Sequence, residues 1–231
     1  MHKIKQPHFF KNPIKILYED EQFMAFDKPS GLLVVPAAQN ESNTLVNIVN
    51  YQYGIGKGLK ELFPCHRLDR DTSGVILFAK GRQNQELMLE AFKSRGVQKK
   101  YLGLVQGKLK HRQGEFKSII RDLDQKKFQR NVAGKMAVTR YRVMEERGTF
   151  TIVEVEPLTG RTNQIRIHFS QHKNPLVGDR KYSFARDYSV KFRRTALHAL
   201  SLQWNHPVTG KTVAVSSPLP KDIEEFLEKN N

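Results

Sequence analysis

His66-Arg67-Leu68-Asp69-Arg70-Asp71-Thr72-Ser73-Gly74 runs without interruption into the apolar stretch Val75 to Ala79. A continuous apolar run of that length reads as a strand buried on both faces. The nine residues before it are then the loop that enters the strand, and that loop is anchored to the core. It sets a carboxylate, Asp69, beside fixed guanidinium cations at the strand mouth. Seven of the nine positions, written HRLDxxTSG, would coincide by chance at about one site in 10^9, taking about one in twenty per position.

Outward from this loop, Ile14 to Tyr18 and Phe23 to Asp27 read as short strands separated by Glu19-Asp20-Glu21 and ended by Lys28-Pro29-Ser30-Gly31. Asn43-Thr44 can cap a helix that runs to about Gln52, with Leu45, Ile48 and Val49 on one face, and the Gly54 to Gly58 stretch breaks it. Gln83 to Arg95 has helical spacing of Leu87, Met88, Ala91 and Phe92, with Gly96 where a C′ glycine belongs. Tyr101 to Val105, Phe116 to Ile120, Ala137 to Met144 and Thr149 to Val155 read as strands of a β-rich middle. Thr162 to Gln171 fits a short helix with Ile165 and Phe169 toward the core. Leu197 to Trp204 and Lys211 to Val215 form a hairpin around His206-Pro207-Val208-Thr209-Gly210, and Asp222 to Lys229 is an amphipathic terminal helix. No repeat or linker separates a second domain, so a basic arm over residues 1–13 and one domain over 14–231 are expected.

The 231 residues hold 39 Lys plus Arg against 23 Asp plus Glu, a net charge of +16 spread along the chain. A polyanionic partner fits that balance, and a solubility surface is the plain alternative. No long apolar span or membrane-type basic helix points to lipid. The one cysteine, Cys65, cannot form an internal disulfide and suits a small buried apolar role. With no apolar signal core in the first ten residues, a reducing, cytoplasmic setting is expected. The eight histidines are scattered, and neither HExxH nor CxxC spacing occurs, so no metal or other cofactor is called for.

Two further segments carry chemistry. Gly160-Arg161-Thr162-Asn163-Gln164-Ile165-Arg166-Ile167-His168 continues to Asn174-Pro175-Leu176-Val177-Gly178-Asp179. On the expected helix, Arg166 lies one turn beyond Thr162 and Asn163, opposite the core-facing Ile165 and Phe169. Standing alone, Arg161, Arg166 and His168 read as an ordinary basic helix face. Lys99-Lys100-Tyr101-Leu102-Gly103-Leu104-Val105-Gln106-Gly107 opens a strand with a tyrosine that could stack on a base or simply be half-buried.

Taken together these segments resemble the RluA-type pseudouridine synthases. The loop resembles that family's active-site motif, the arginine segment its GRTHQIRxH signature, and the tyrosine strand its base-stacking strand. Asp27-Lys28-Pro29-Ser30-Gly31 is similar to the opening KPxG turn, and Leu197-His198-Ala199 with His206-Pro207 to the closing LHA and HP segments. The order is the family's, over residues 27 to about 220. The resemblance implies an α+β fold with a mixed, largely antiparallel β-sheet core flanked by helices and loops. It also implies an isomerase that converts uridines of tRNA or rRNA to pseudouridine without a cofactor.

Such chemistry breaks a glycosidic bond, turns the base and re-forms the bond through carbon. An enclosed carboxylate stays ionised only beside a cation, and a guanidinium never loses its charge. The resemblance accordingly implies Asp69 as nucleophile or base, attacking either the sugar or the ring, with Arg166 paired to it and Tyr101 stacked on the base and assisting proton transfer. Arg67 would occupy the site of the flipped base. His66, Thr72, Asn163 and Arg161 complete the substrate-binding set, His66 orienting the loop and Thr72 stiffening it with Ser73, while Gly74 permits close approach. Asn163 stands where the family has histidine. Lys93 to Lys100, Lys108 to Arg112, Lys126 to Arg130 and Lys191 to Arg194 are the clusters that could track phosphates.

The small N-terminal RNA-binding domain of some relatives is expected to be missing, and the default state is a monomer without an obligatory protein partner. The competing class is a catalytically silent RNA-binding or chaperone module on the same scaffold. A nuclease is a third class and predicts strand scission abolished by chelators.

Overall fold

The computed structural model describes residues 13–37, 42–54, 60–121, 133–184 and 189–230. In chain order the elements are β1 (Ile16–Glu19), β2 (Phe23–Lys28), α1 (Leu45–Tyr53), β3 (Leu62–Pro64), β4 (Ser73–Lys80), α2 (Arg82–Lys93), β5 (Val97–Gln106), β6 (Gln113–Ile120), β7 (Lys135–Arg147), β8 (Phe150–Pro157), α3 (Gln164–Gln171), β9 (Leu197–Asn205), β10 (Thr212–Ser216) and α4 (Lys221–Lys229). The chain divides into two compact units, one of residues 1–97 with 199–219 and the other of 98–198 with 220–231. The class is α+β with a mixed, mostly antiparallel sheet. Every pairing with a register given below is antiparallel, whereas Leu33 and Thr44 form a parallel bridge. None of the described helices is long and apolar enough to cross a membrane.

In the first unit the order is β1-β2-β4-β9, with β3 paired to β4 and β10 to β9. β2 runs antiparallel to β4 from Phe23↔Ala79 to Lys28↔Gly74, which brings the Lys28-Pro29 turn to the entrance of β4. All eight residues of β4 are buried, as its unbroken apolar run requires. Phe23, Ala25, Val75, Leu77 and Ala79 meet Met88 of α2 and Leu202, Trp204 and Val215 on one side. Phe26 stacks on Tyr53 of α1 and meets Phe78 edge-on. Each large side chain buried in this way is worth about 1.5–3 kcal/mol, so β4 is the rigid post of the unit.

The second unit is the antiparallel sheet β5-β8-β7-β6. Registers Tyr101↔Val155, Val155↔Tyr141 and Tyr141↔Gly114 put these four residues on one face. α3 packs on that face, where the His168 ring bonds Thr139 of β7 and Ser118 of β6. Leu104, Phe150 and Ile152 belong to the opposite face, which α4 covers through Phe226 and Leu227.

Several expectations need correction. Thr44 is the N-cap of α1, but its hydroxyl makes no capping bond. α2 ends at Lys93, and the left-handed residue after its cap is Arg95, at φ 61°, with Gly96 donating to the Ala91 carbonyl instead. Leu87, expected on the core face, is exposed, since the buried stripe of α2 is narrow and centred on Met88. α3 cannot start at Thr162, because Asn163 has φ 55° and helical geometry begins at Gln164. The four strands of the second unit are each longer than the apolar runs suggested. The arm over residues 1–13, apart from Pro13, the cluster Lys126 to Arg130 and most of the Gly54 to Gly58 stretch lie outside the described residues.

Candidate active site

In the first unit the Asp69 loop is braced before it reaches β4. Arg67 is exposed, Leu68 is buried and Asp69, which follows them, is half-buried. The Thr72 amide donates to the Asp69 carbonyl at 3.2 Å and closes a turn over Arg70 and Asp71. The Arg70 carbonyl accepts twice, from the Gly31 amide at 2.9 Å and from Lys28 Nζ at 3.0 Å, and Lys28 also donates to the Pro29 carbonyl at 2.8 Å. Lys28 is fully buried. A buried ammonium persists only where acceptors satisfy it, and here those include main-chain oxygens of the loop and of its own turn.

Gly74 sits at φ 109°, where a Cβ would fall 2.2 Å from the Ala199 carbonyl oxygen. Only glycine permits that approach, so the loop enters the strand at one fixed place. His66 accepts the Leu77 amide at Nε2, 3.1 Å away, and its ring lies against Phe92. The bond ties the first residue of the loop to β4. Thr72 and Ser73 are both buried at the same entrance. Cys65 is buried in the core, and desolvation pushes its thiol well above the usual range, which suits an inert packing role.

In the second unit the cation is Arg166, in the first turn of α3. Its Nε donates to Asp179 Oδ2 at 2.6 Å and Nη2 to Asp179 Oδ1 at 2.9 Å, a two-point grip on a fully buried carboxylate. Nη1 donates to Asn163 Oδ1 at 2.7 Å, and the guanidinium lies 5.0 Å from the Tyr182 ring centre. Asparagine tolerates the left-handed backbone at this position, so Asn163 both turns the chain into α3 and steadies Arg166 with an uncharged acceptor. Asp179 further accepts the amides of Lys181 and Tyr182.

Gln164 brackets the entry to α3. Its Nε2 donates to Val138 O and Thr139 Oγ1, and its Oε1 accepts from Thr159 and the Arg161 amide. Arg161, half-buried, reaches the Met136 carbonyl with Nε at 3.3 Å. His168 is no part of a basic face: it is fully buried, and desolvation followed by the charge of His172 lowers its pKa to about 4, so it is neutral.

Tyr101 lies near the start of β5, 8% exposed, with Lys99 on the same face of that strand. Burial pushes the Lys99 ammonium below its ordinary range. Lys28, Lys99, Gln164 and Asp179 were not singled out as functional from the sequence. Each stands inside a segment that was, and for Lys28, Gln164 and Asp179 burial is what distinguishes it. The phosphate-tracking clusters fare unevenly. Lys108 and Arg112 face Glu146, and Lys100 faces Glu154. Arg194 is buried in a two-point pair with Asp222 and caps the Thr195 and Leu197 carbonyls, so it fastens α4 instead of meeting RNA.

The sequence profile of RNA pseudouridylate synthases matches residues 22–171, which include the Asp69 loop, Tyr101 and Arg166. The chain belongs to the RluA-type RNA pseudouridine synthases. Among its relatives, the ribosomal large subunit pseudouridine synthase D of Xanthomonas campestris pv. campestris is 35% identical over 93% of this chain and 69% of its own length. That of Xylella fastidiosa is 37% identical over 93% and 69%. Human RNA pseudouridylate synthase domain containing 1 superposes with a TM-score of 0.71 at 26% identity, over 90% of this chain and 84% of that one. Human RNA pseudouridylate synthase domain containing 4 gives 0.74 at 24% identity over 93% and 92%, a likeness of fold. As a pseudouridine synthase the chain is an isomerase.

Proposed function

We propose that this synthase isomerises selected uridines of large-subunit ribosomal RNA, with Asp69 as nucleophile or base. The observation that carries the role of Asp69 is the pre-set loop, whose backbone is held by buried Lys28 and by Gly74. Pre-organisation of that kind lowers the reorganisation needed at the reacting centre. Arg166, itself fixed by Asp179 and Asn163, is the cation that keeps Asp69 ionised. Tyr101 stacks on the extruded base and assists proton transfer, and exposed Arg67 fills the gap the base leaves. His66, Thr72, Asn163 and Arg161 support the loop and the substrate strand. The relatives named for the ribosomal large subunit favour ribosomal over transfer RNA, and such a substrate sets the reaction in the cytoplasm.

The test is position-resolved pseudouridine mapping of total RNA from cells lacking the protein, after incubation with the wild-type chain or with Asp69→Asn. New sites appear with the wild type, and the Asp69→Asn rate falls by at least about 10^3-fold while RNA binding is kept. A silent binding module would perform its task unchanged by Asp69→Asn.

A further inference from the structure

A cavity of about 440 Å³ opens in the second unit where β6 begins, lined by Lys110, His111, Gly114, Phe116, Tyr141 and His172 among others. It lies within the size range of small-ligand pockets. Its wall is a stack of three rings. Phe116 lies between Tyr141, with centroids 4.8 Å apart and 29° between planes, and His172, at 3.9 Å and 16°. Gly114 is opposite Tyr141 across β6 and β7, and a Cβ there would come within 2.8 Å of the Tyr141 ring, so the ring lies flat over the strand only because residue 114 is glycine. Phe116 and Tyr141 are buried, whereas His172, the outermost ring, is exposed.

The charges around this stack favour an anion. Glu115, the acidic group of the lining, is taken up by Lys117 and Arg140, each at 2.8 Å. Among the described residues Lys110 and His111 have no carboxylate partner, and both are exposed at the cavity. An open aromatic face beside an ammonium such as Lys110 is the pairing that holds a nucleotide of a single strand, base on ring and phosphate on the cation. The cavity is distinct from the Arg166 cluster: Arg166 is in the first turn of α3 and His172 just past its last, about 9 Å further along the axis.

We propose that this cavity binds a nucleotide of the substrate RNA other than the isomerised uridine, its base stacked on His172 and its phosphate against Lys110 and His111. The proposal rests on RNA being the substrate and adds a second hold on the strand. A purely structural role for the stack, docking the end of α3 on β6, is the competing account.

Fluorescence anisotropy with a short fluorescein-labelled oligouridylate, over a range of salt, decides between them. His172→Ala weakens binding about 5- to 100-fold, His172→Phe keeps it within about twofold, and Lys110→Ala weakens it less and lowers the salt slope by about one. Wild-type affinity in His172→Ala, with or without a lower melting temperature, overturns the proposal. So does an equal loss in His172→Phe, or a wild-type chain that does not bind the oligonucleotide. Failure of the isomerase reading looks different: no Asp69-dependent pseudouridine in the mapping, with the His172→Ala loss of RNA affinity still present.

Discussion

The Asp69 loop and the Arg166 cluster are both rigid, but they are made rigid by opposite means. The loop is one unbroken run of chain whose fixed points are main-chain atoms: the Arg70 carbonyl gripped by Lys28 and Gly31, the Asp69 carbonyl closed by Thr72, and Gly74 against Ala199. Arg166 is held by side chains, the Asp179 carboxylate from beyond α3 and the Asn163 carboxamide from the start of its own helix. A loop that must present a carboxylate can be set by contacts to its backbone. A long flexible cation needs a buried counter-charge to stop it wandering, at the cost of desolvating both groups.

The sharpest way to break the first arrangement is Gly74→Ala. Its new methyl meets backbone, which cannot swing aside, so denaturant unfolding should show a loss of about 4 kcal/mol or more, or no folded protein. Asp179→Ala attacks the second. It strands the nearly buried Arg166, and a stability loss of about 3 kcal/mol is expected, together with loss of pseudouridine formation even where the protein is folded. A result near zero would mean that Arg166 does not depend on Asp179.

The second unit should also respond to pH. His168, on the buried face of α3, has a folded pKa of about 4 against about 6.5 unfolded, so the unfolded chain binds the extra proton between those values. Its stabilising neutrality is fully present above about pH 6.5 and is lost as pH falls toward 4, up to about 3 kcal/mol. Thermal unfolding should show this slope, and His168→Gln should flatten it. The smallest effect separates the two tasks of Asn163: Asn163→Gly loses only the bond to Arg166, whereas Asn163→Ala also strains the left-handed backbone and should be less stable by about 1 kcal/mol in the same unfolding assay.

Much of the site was legible because its chemistry sits in contiguous segments. The HRLDxxTSG loop, the arginine segment and the strand opening at Tyr101 could be named from residue type and order, and the burial of β4 followed from its apolar run. The face of α2 was misread because spacing alone cannot rank Leu87 against Met88 when the buried stripe is narrow. The start of α3 was misread because Asn163 is compatible with a helix until its φ is known.

By itself the sequence determined the reaction class, the order of the motifs and the strand on which the Asp69 loop stands. These depend on which side chains are adjacent along the chain, and adjacency is what a sequence records. Only the tertiary structure decided that Lys28 clamps the loop, that Asp179 grips Arg166, that His168 is neutral and that Arg194 fastens a helix. Whether a polar side chain is solvated or spent on a buried partner depends on water excluded by distant segments, and no local pattern carries that.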